Sequence, residues 1–374
     1  MTGSTVELTT TVVEDLCQVP RSEWDRVAED SGLYLSHGWL RAVHQDPGVA
    51  AFYVLVRRDA ELVGALPVFD VAAEGNAFYA PGRHHRALTG SGHWLLAGGR
   101  RGYHGGVLLT GDAESRRRVL GALLETAQRI AAERDARGLV WLFAPTSAAE
   151  RLREAGASVA FDTVDANLDA ASWDGYLAGL ASRRRNATRR ERRRFDQAGY
   201  HVGEQRLADC WKELAGLVAN VQHKYGHGTT EEQMRRVLEG QLRFLDDQSV
   251  VFTVHRDGAL VAGALEYRFG ETLYGRMVGF DYGGLADAYE YFNLVYYLPV
   301  QYLERHGLRR VHLGIEAEDV KVERGARLSP LWTVALPLEG AELFADDATR
   351  ADRRRWSDRY DASVLSPADW DVPW

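Results

Sequence analysis

Lys321 stands in a run of acids, Glu316, Glu318, Asp319 and Glu323, and it is one of only three lysines in the chain, with Lys212 and Lys224. Lysine and arginine together number 45, so the other 42 cations are arginine. Arginine is this chain's default cation, and a lysine marks a place where a planar guanidinium does not serve. An ammonium is a compact point charge whose pKa moves readily on burial. A second group lies upstream. Between Ser182 and Phe195, eight arginines occupy the twelve positions 183–194. Guanidinium forks at that density suit phosphate oxygens, and Arg183, Arg184, Arg185, Arg189, Arg190 and Arg193 are the candidate phosphate contacts. A solvated, over-charged helix is the competing reading. A third group is His223-Lys224-Tyr225-Gly226-His227-Gly228. Its histidines have metal spacing only if the segment stays helical. Gly226 and Gly228 argue that the helix ends there, and no third ligand is evident. No metal is expected, and Lys224 and Tyr225 are expected at an exposed loop as substrate contacts.

The elements that must position these groups follow a repeat. Residues 51–69 read AFYVLVRRDAELVGALPVF and 250–269 read VVFTVHRDGALVAGALEYRF. Both are strand, charged turn, strand, with Arg58-Asp59 on Arg256-Asp257 at an offset of 198. Downstream, Gly138-Leu139 matches Gly307-Leu308 and Gly156 matches Gly325, both at 169. The first copy therefore carries 198 − 169 = 29 extra residues. They are expected within 75–106, which holds nine Gly, four His and four Arg and reads as a long ordered loop or a set of short strands. Two mixed α/β units are predicted, 1–170 and 171–374, with ligands in the cleft that such pairs tend to form. One helix is predicted from a Ser172 cap through the arginine run, burying Trp173, Tyr176, Leu177 and Leu180. Residues 288–307 predict an aromatic helix that Pro299 kinks or loosens. A strand, Arg310 to Gly314, leads from it to Lys321. Its tyrosines are core by spacing, with Tyr296 and Tyr297 kept as substrate contacts.

Composition sets the outer bounds. Apolar content of 45% and charged content of 26% are those of an ordinary globular chain. At this length no disulfide or metal is needed for stability. Cys17 and Cys210 fit no metal or redox spacing and suit a reducing compartment. The N-terminus shows no signal-peptide pattern, and the apolar stretch 291–300 is too short to span a bilayer. A cytoplasmic location is expected. A net charge of −8 excludes a generic nucleic-acid coat and leaves room for a local basic patch.

The order aromatic helix, strand ending in Gly314, then Lys321-Val-Glu-Arg324-Gly325 resembles the FemAB-like N-acyltransferases of the GNAT superfamily, whose pattern is K-x-x-[RF]-G. The part from Trp173 to Leu242 is similar to the BioF2-like acetyltransferase domain. The resemblance covers most of the second half and reaches the first through the repeat. It implies an α/β (α+β) fold of tandem GNAT-like domains, each a mixed twisted sheet flanked by helices. It also implies amide formation: an acyl group passes from aminoacyl-tRNA, or from a thioester in some relatives, to an amine. The family lysine, near the reacting carbonyl in the acceptor cleft, falls on Lys321. Arg324 stands where Fem enzymes carry Phe and is expected at the substrate. No coiled-coil arm like that of seryl-tRNA synthetase is apparent.

Aminolysis of an activated ester needs a neutral amine, a place for its proton and a donor to the developing oxyanion. Lys321 fits the donor. Glu316, Glu318 and Asp319 fit the acceptor ammonium or its proton. A strict pyrophosphate loop, [QR]-x-x-G-x-[GA], is not found; Arg153 to Ser158 and Arg276 to Asp281 come nearest. With the arginine run, this favours aminoacyl-tRNA as co-substrate, with no resident cofactor and a peptidoglycan precursor or peptide-like metabolite as acceptor. The alternatives are an acyltransferase using acyl-CoA or a carrier-protein thioester, and a non-catalytic tRNA- or nucleotide-binding module.

Overall fold

The computed structural model describes residues 7–45, 48–71, 74–340, 343–370 and 372. The chain runs β1 (Leu8–Val13), α1 (Arg21–Ala28), α2 (His37–His44), β2 (Val49–Arg58), β3 (Glu61–Val71), α3 (Pro81–His84), β4 (Leu95–Ala97), β5 (Leu108–Leu109), α4 (Ala113–Glu133), β6 (Gly138–Pro145), α5 (Thr146–Glu154) and β7 (Ser158–Asp169). It continues as α6 (Trp173–Gly179), α7 (Ser182–Asp196), β8 (His201–Gln205), α8 (Leu207–Lys224), α9 (Glu231–Leu245), β9 (Ser249–Arg256), β10 (Ala259–Phe269) and β11 (Thr272–Phe280). Then come α10 (Glu290–Phe292), a π-helical turn (Asn293–Tyr297), α11 (Leu298–His306), β12 (Arg310–Ile315), α12 (Glu318–Glu323), β13 (Arg327–Pro337), α13 (Asp346–Arg359) and α14 (Pro367–Trp370).

Two compact units form, 1–164 with 329–374, and 165–328. In the first, the strand order is β1-β2-β3-β4-β6-β13, antiparallel except for the parallel pair β4–β6. In the second it is β8-β9-β10-β11-β12-β7, antiparallel except for β11–β12. The two orders correspond strand for strand. Both expected hairpins are present, β2–β3 and β9–β10. Their turns carry Asp59 and Asp257 at φ 54° and 52°. The matched glycines Gly156 and Gly325 follow α5 and α12 at φ 95° and 86°, each ending a short helix.

The boundary expected at 170/171 is corrected. The end of β7 pairs with β12, from Asp169 opposite Arg310 to Asp165 opposite Ile315. Strand β13 pairs with β6, from Leu331 opposite Pro145 to Pro337 opposite Gly138. Each unit's sixth strand thus comes from the stretch that follows the other repeat copy. Trp332, Val334 and Leu336 of β13 pack in the first core with Leu66, Leu123 and Leu139. A cut at 170 would strip that core of its sixth strand. The single helix expected from Ser172 is also corrected. Ser172 caps α6 through the Gly175 N–H, but Leu180 and Ala181 are extended and α7 starts afresh. The break lets Leu180 bury and lets Arg185 donate to its carbonyl at 3.0 Å. The 75–106 stretch holds three short helical turns, then the strand β4 and a glycine-rich loop after it.

The second core joins Phe252 and Val254 of β9, Leu273 of β11, Val311 of β12 and Leu294 and Val300 of the aromatic helix. Helix α8 lies on the opposite face of β11, seated at Gly279. A Cβ there would sit 2.6 Å from the Leu217 Cβ and 2.7 Å from that residue's backbone. Gly279→Ala is expected to lose about 2 kcal/mol, in the range of core overpacking, read as a lower urea midpoint. An unchanged midpoint would show that α8 does not seat on β11.

Candidate active site of the second unit

Strands β11 and β12 pair at three positions only, Thr272 with Arg310, Leu273 with Val311 and Tyr274 with His312. Beyond these β11 runs on to Phe280 and β12 to Ile315, with no further pairing among the described residues. Parallel neighbours that part in this way open a notch at their carboxyl ends, and residues 275–278 of β11 are half-exposed there. The aromatic helix follows β11, and Lys321 follows β12. Pro299, lacking an N–H, cannot take the bond that the regular ladder would offer it. The helix answers with the π-helical turn just before it, the loosening that the sequence predicts.

Lys321 is reached by a tight turn. Gly314, Glu316 and Ala317 all have positive φ, at 69°, 65° and 53°. For Glu316 and Ala317 this is a costly conformation. It folds α12 back over the end of its own strand. The Lys321 ammonium then donates to the carbonyls of Gly314 at 2.9 Å and Ile315 at 2.8 Å. Only 5% of the residue is exposed. Burial lowers its pKa to about 8, and the charges of Glu318, Asp165 and Glu316 oppose that fall. Glu316 and Asp319 are exposed and Glu318 is half-buried. Glu316 and Glu318 thus act on a sheltered cation by charge and make no hydrogen bond to it among the described residues.

Beside this turn lies a pair that sequence reading missed. His312 Nε2 is 3.1 Å from Asp165 Oδ2, and the Asn167 amide donates to the same oxygen at 3.2 Å. His312 and Asp165 are buried. They are 147 residues apart, so no local spacing could flag them.

Behind α12 the arginine helix docks through one carboxylate. Glu191, buried in α7, accepts from Arg184 and from the Tyr297 hydroxyl. Arg324 Nη2 lies 4.0 Å from it. The Arg324 guanidinium is 3.5 Å from the Phe292 ring centroid and donates to the Val320 carbonyl at 3.1 Å. Burial, with Glu191 next, pushes Tyr297 up to about 12. Tyr296 and Tyr297 are fully buried and Arg324 nearly so. These three were expected at the substrate and instead lock the aromatic helix, α7 and α12 to one another. The reason is the arginine at the fourth position of the motif, whose buried charge needs both Glu191 and an aromatic face. Glu191 had a signal in the sequence, as the lone acid between Arg183 and Arg194.

The arginines of α7 sort by face. Arg184 and Arg185 turn inward, and Arg192 donates to the Asn293 side chain at 3.1 Å. Arg183, Arg189, Arg190 and Arg193 are exposed and make no ion pair or hydrogen bond among the described residues. At 100° per residue they share one side of the helix. Lys224 ends α8 with its ammonium 4.0 Å from the Tyr282 ring centroid, and Tyr225 beyond it is 72% exposed. His223 is still in α8, and His227 lies past Gly226 at φ 80°.

The nearest matches to a pyrophosphate loop do not form one. Residues 276–280 lie within β11, and 153–158 pass from the end of α5 into β7. The turn that does precede the aromatic helix is filled by the chain itself. The Glu290 carboxylate, 5% exposed, accepts from the N–H of Ala286 at 3.1 Å, from that of Ala288 at 3.0 Å, and from the Tyr200 hydroxyl. Converging N–H groups of this kind make an anion site, and here the anion is Glu290.

The family model described as peptidoglycan biosynthesis/recognition matches residues 15–339. The chain belongs to the FemAB-like family. Solved structures agree in fold with this FemAB-like protein at low sequence identity. A crystal structure of FemX has a TM-score of 0.61 at 14% identity, covering 87% of this chain and 96% of that one. The structure of L-PGS from Bacillus licheniformis has a TM-score of 0.53 at 11% identity, covering 84% and 91%. A tandem GNAT protein from the clavulanic acid biosynthesis pathway has a TM-score of 0.50 at 15% identity, covering 90% and 100%. The tandem GNAT-like α/β fold that the resemblance implies is the fold observed. No curated protein matches the chain. Among the described residues no helix is long and apolar enough to cross a membrane.

With three lysines in the chain, carbon-13 labelling at lysine Cε gives three resonances that can be followed by NMR. One is expected to titrate near 8 and to vanish in Lys321→Met. Folding lowers this pKa from the usual 10.5, so the buried cation costs stability at neutral pH. That cost is relieved as pH rises from about 8 towards 10.5. Three resonances all titrating above 10 would overturn the assignment.

Proposed function

We propose that the second unit forms an amide bond, moving an aminoacyl group from aminoacyl-tRNA to an amine on a peptidoglycan precursor or a peptide-like metabolite. Family membership and the shared fold support an acyltransferase in peptidoglycan-related synthesis. The observation that carries the choice of donor is the free arginine face of α7. In a chain of net charge −8, Arg183, Arg189, Arg190 and Arg193 keep their charge outward and unpaired, as phosphate binding requires. The anion-binding turn before the aromatic helix is closed by Glu290, which disfavours a nucleotide pyrophosphate there and so an acyl-CoA donor.

An ammonium has three N–H donors, and two of those on Lys321 are held by Gly314 and Ile315. The third is left for the oxygen of a tetrahedral intermediate. The neutral amine attacks the ester carbonyl and its C–N bond forms; collapse of the tetrahedral intermediate then breaks the C–O bond to the ribose, whose oxygen takes up the proton that the nitrogen gives up. Glu316, Glu318 and Asp319 are exposed or half-buried carboxylates suited to hold the acceptor ammonium and accept its proton. Lys224 and Tyr225, on the surface, serve as substrate contacts. Arg324, Tyr296 and Tyr297 act from behind by fixing α12 and the aromatic helix.

Two measurements test this. Amide product is expected with charged tRNA and not with acyl-CoA, and Lys321→Met is expected to abolish it while circular dichroism stays that of the wild type. Product from acyl-CoA alone would transfer the reading to a CoA-dependent enzyme. Filter binding to charged tRNA is expected to weaken steeply with salt. The triple change Arg189→Gln, Arg190→Gln, Arg193→Gln removes up to three phosphate contacts, each worth about 0.7 to 0.9 in the log–log salt slope. A flat salt response in the wild type would remove tRNA from the proposal.

A further inference from the structure

On the first unit, a groove of about 660 Å³ lies between α4 and α5. That volume is in the range of small-molecule sites. Its floor is apolar, made by Leu120 and Leu124 of α4 and Leu336 of β13, all under 8% exposed. Its rim carries three guanidinium groups. Arg116 and Arg117 come from the first turns of α4, and Arg151 from α5. Arg116 donates one N–H to the Gly111 carbonyl at 2.7 Å. Neither Arg117 nor Arg151 has a side-chain hydrogen bond or ion pair among the described residues. Arg151 is half-buried. Burial lowers its pKa, Arg116 lowers it further, and Glu150 and Glu154 oppose them. A half-buried guanidinium facing a second one, without a bonded counter-ion, is a site short of an anion. Two acids share the wall, Glu154 on α5 three residues from Arg151, and Glu125, nine residues beyond Arg116 along α4, about 13 Å at helical rise.

The helix itself keeps the groove open. Gly121 sits in the middle of α4, where glycine costs up to about 1 kcal/mol against alanine. A Cβ built there meets nothing within 4 Å, so no packing contact requires the glycine. Its missing side chain leaves space over Leu120 and Leu124.

We propose that this groove binds an amphiphilic anion drawn from solution, with a phosphate or carboxylate head between Arg116 and Arg151 and an apolar chain along Leu120, Leu124 and Leu336. Guanidinium forks match either head in paired hydrogen bonds. The leucine floor supplies the area that a bare anion cannot use, so head and chain must be present together. The site is separate from the lysine turn and the arginine helix, and it stands whether or not the donor is tRNA.

Calorimetry with the full chain and dodecyl phosphate below its micelle concentration tests the proposal. One molecule is expected to bind per chain, at least ten times tighter than inorganic phosphate. Dodecyltrimethylammonium, with the same chain and a cationic head, is expected not to compete. Gly121→Phe fills the groove and is expected to weaken binding at least tenfold without lowering the thermal midpoint. Arg151→Gln is expected to weaken it about tenfold, while inorganic phosphate still binds poorly to both. Equal affinity in the wild type and the two variants would overturn the site, as would equal binding of the cationic amphiphile. Vesicles of anionic phospholipid that capture the wild type and both variants alike would assign the arginines to surface attraction, and would overturn it too.

Discussion

One carboxylate, Glu191, decides how a helix of eight arginines can belong to a folded domain. A helix carrying that charge has little reason to dock on an apolar core, because each buried guanidinium must be compensated or stay in water. Glu191 compensates Arg184, lies within reach of Arg324 and accepts from Tyr297. Three elements are tied through it: the arginine helix, the aromatic helix with its π-helical turn, and the helix that carries Lys321. With the inward charges neutralised there, Phe195 and Thr188 can bury beside Glu191. The remaining arginines are left in water as a charged face.

The same rule, applied to backbone groups, shapes the other end of the aromatic helix. Glu290 satisfies N–H groups that a bound phosphate would otherwise reach. The lysine turn shows the converse. Two carbonyls left over at the end of β12 meet the Lys321 ammonium, and the left-handed pair Glu316 and Ala317 is the cost of bringing it there. Inside the second unit, the chain supplies its own counter-charges at fixed points. On α7 what remains unpaired at the surface is arginine, at positions 183, 189, 190 and 193, and that local asymmetry supports a polyanionic partner better than composition does.

The hairpins and the paired glycines were legible because they rest on local rules. Asp59 and Asp257 take left-handed turns, and Gly156 and Gly325 end short helices, whatever the rest of the molecule does. Lys321 stood out because lysine is rare here and because of its motif. The buried roles of Tyr296, Tyr297 and Arg324 were not legible. Helical spacing says that a tyrosine faces a core, not whether its hydroxyl reaches solvent, and the partner that sequesters Tyr297 and Arg324 lies more than 100 residues away in Glu191. Asp165 with His312 is hidden for the same reason.

By itself the sequence determined the repeat, the alternation of strands and helices, the loosened aromatic helix and the place of the motif lysine. These depend on periodicity, turn chemistry and proline's missing donor, all read within a few residues. Tertiary structure alone decided which strands complete which sheet, which arginines face inward, and that Lys321 is a sheltered ammonium held by two carbonyls. Those outcomes follow from burying charge and closing hydrogen bonds between segments far apart in the chain, and neither constraint has a signature shorter than the fold itself.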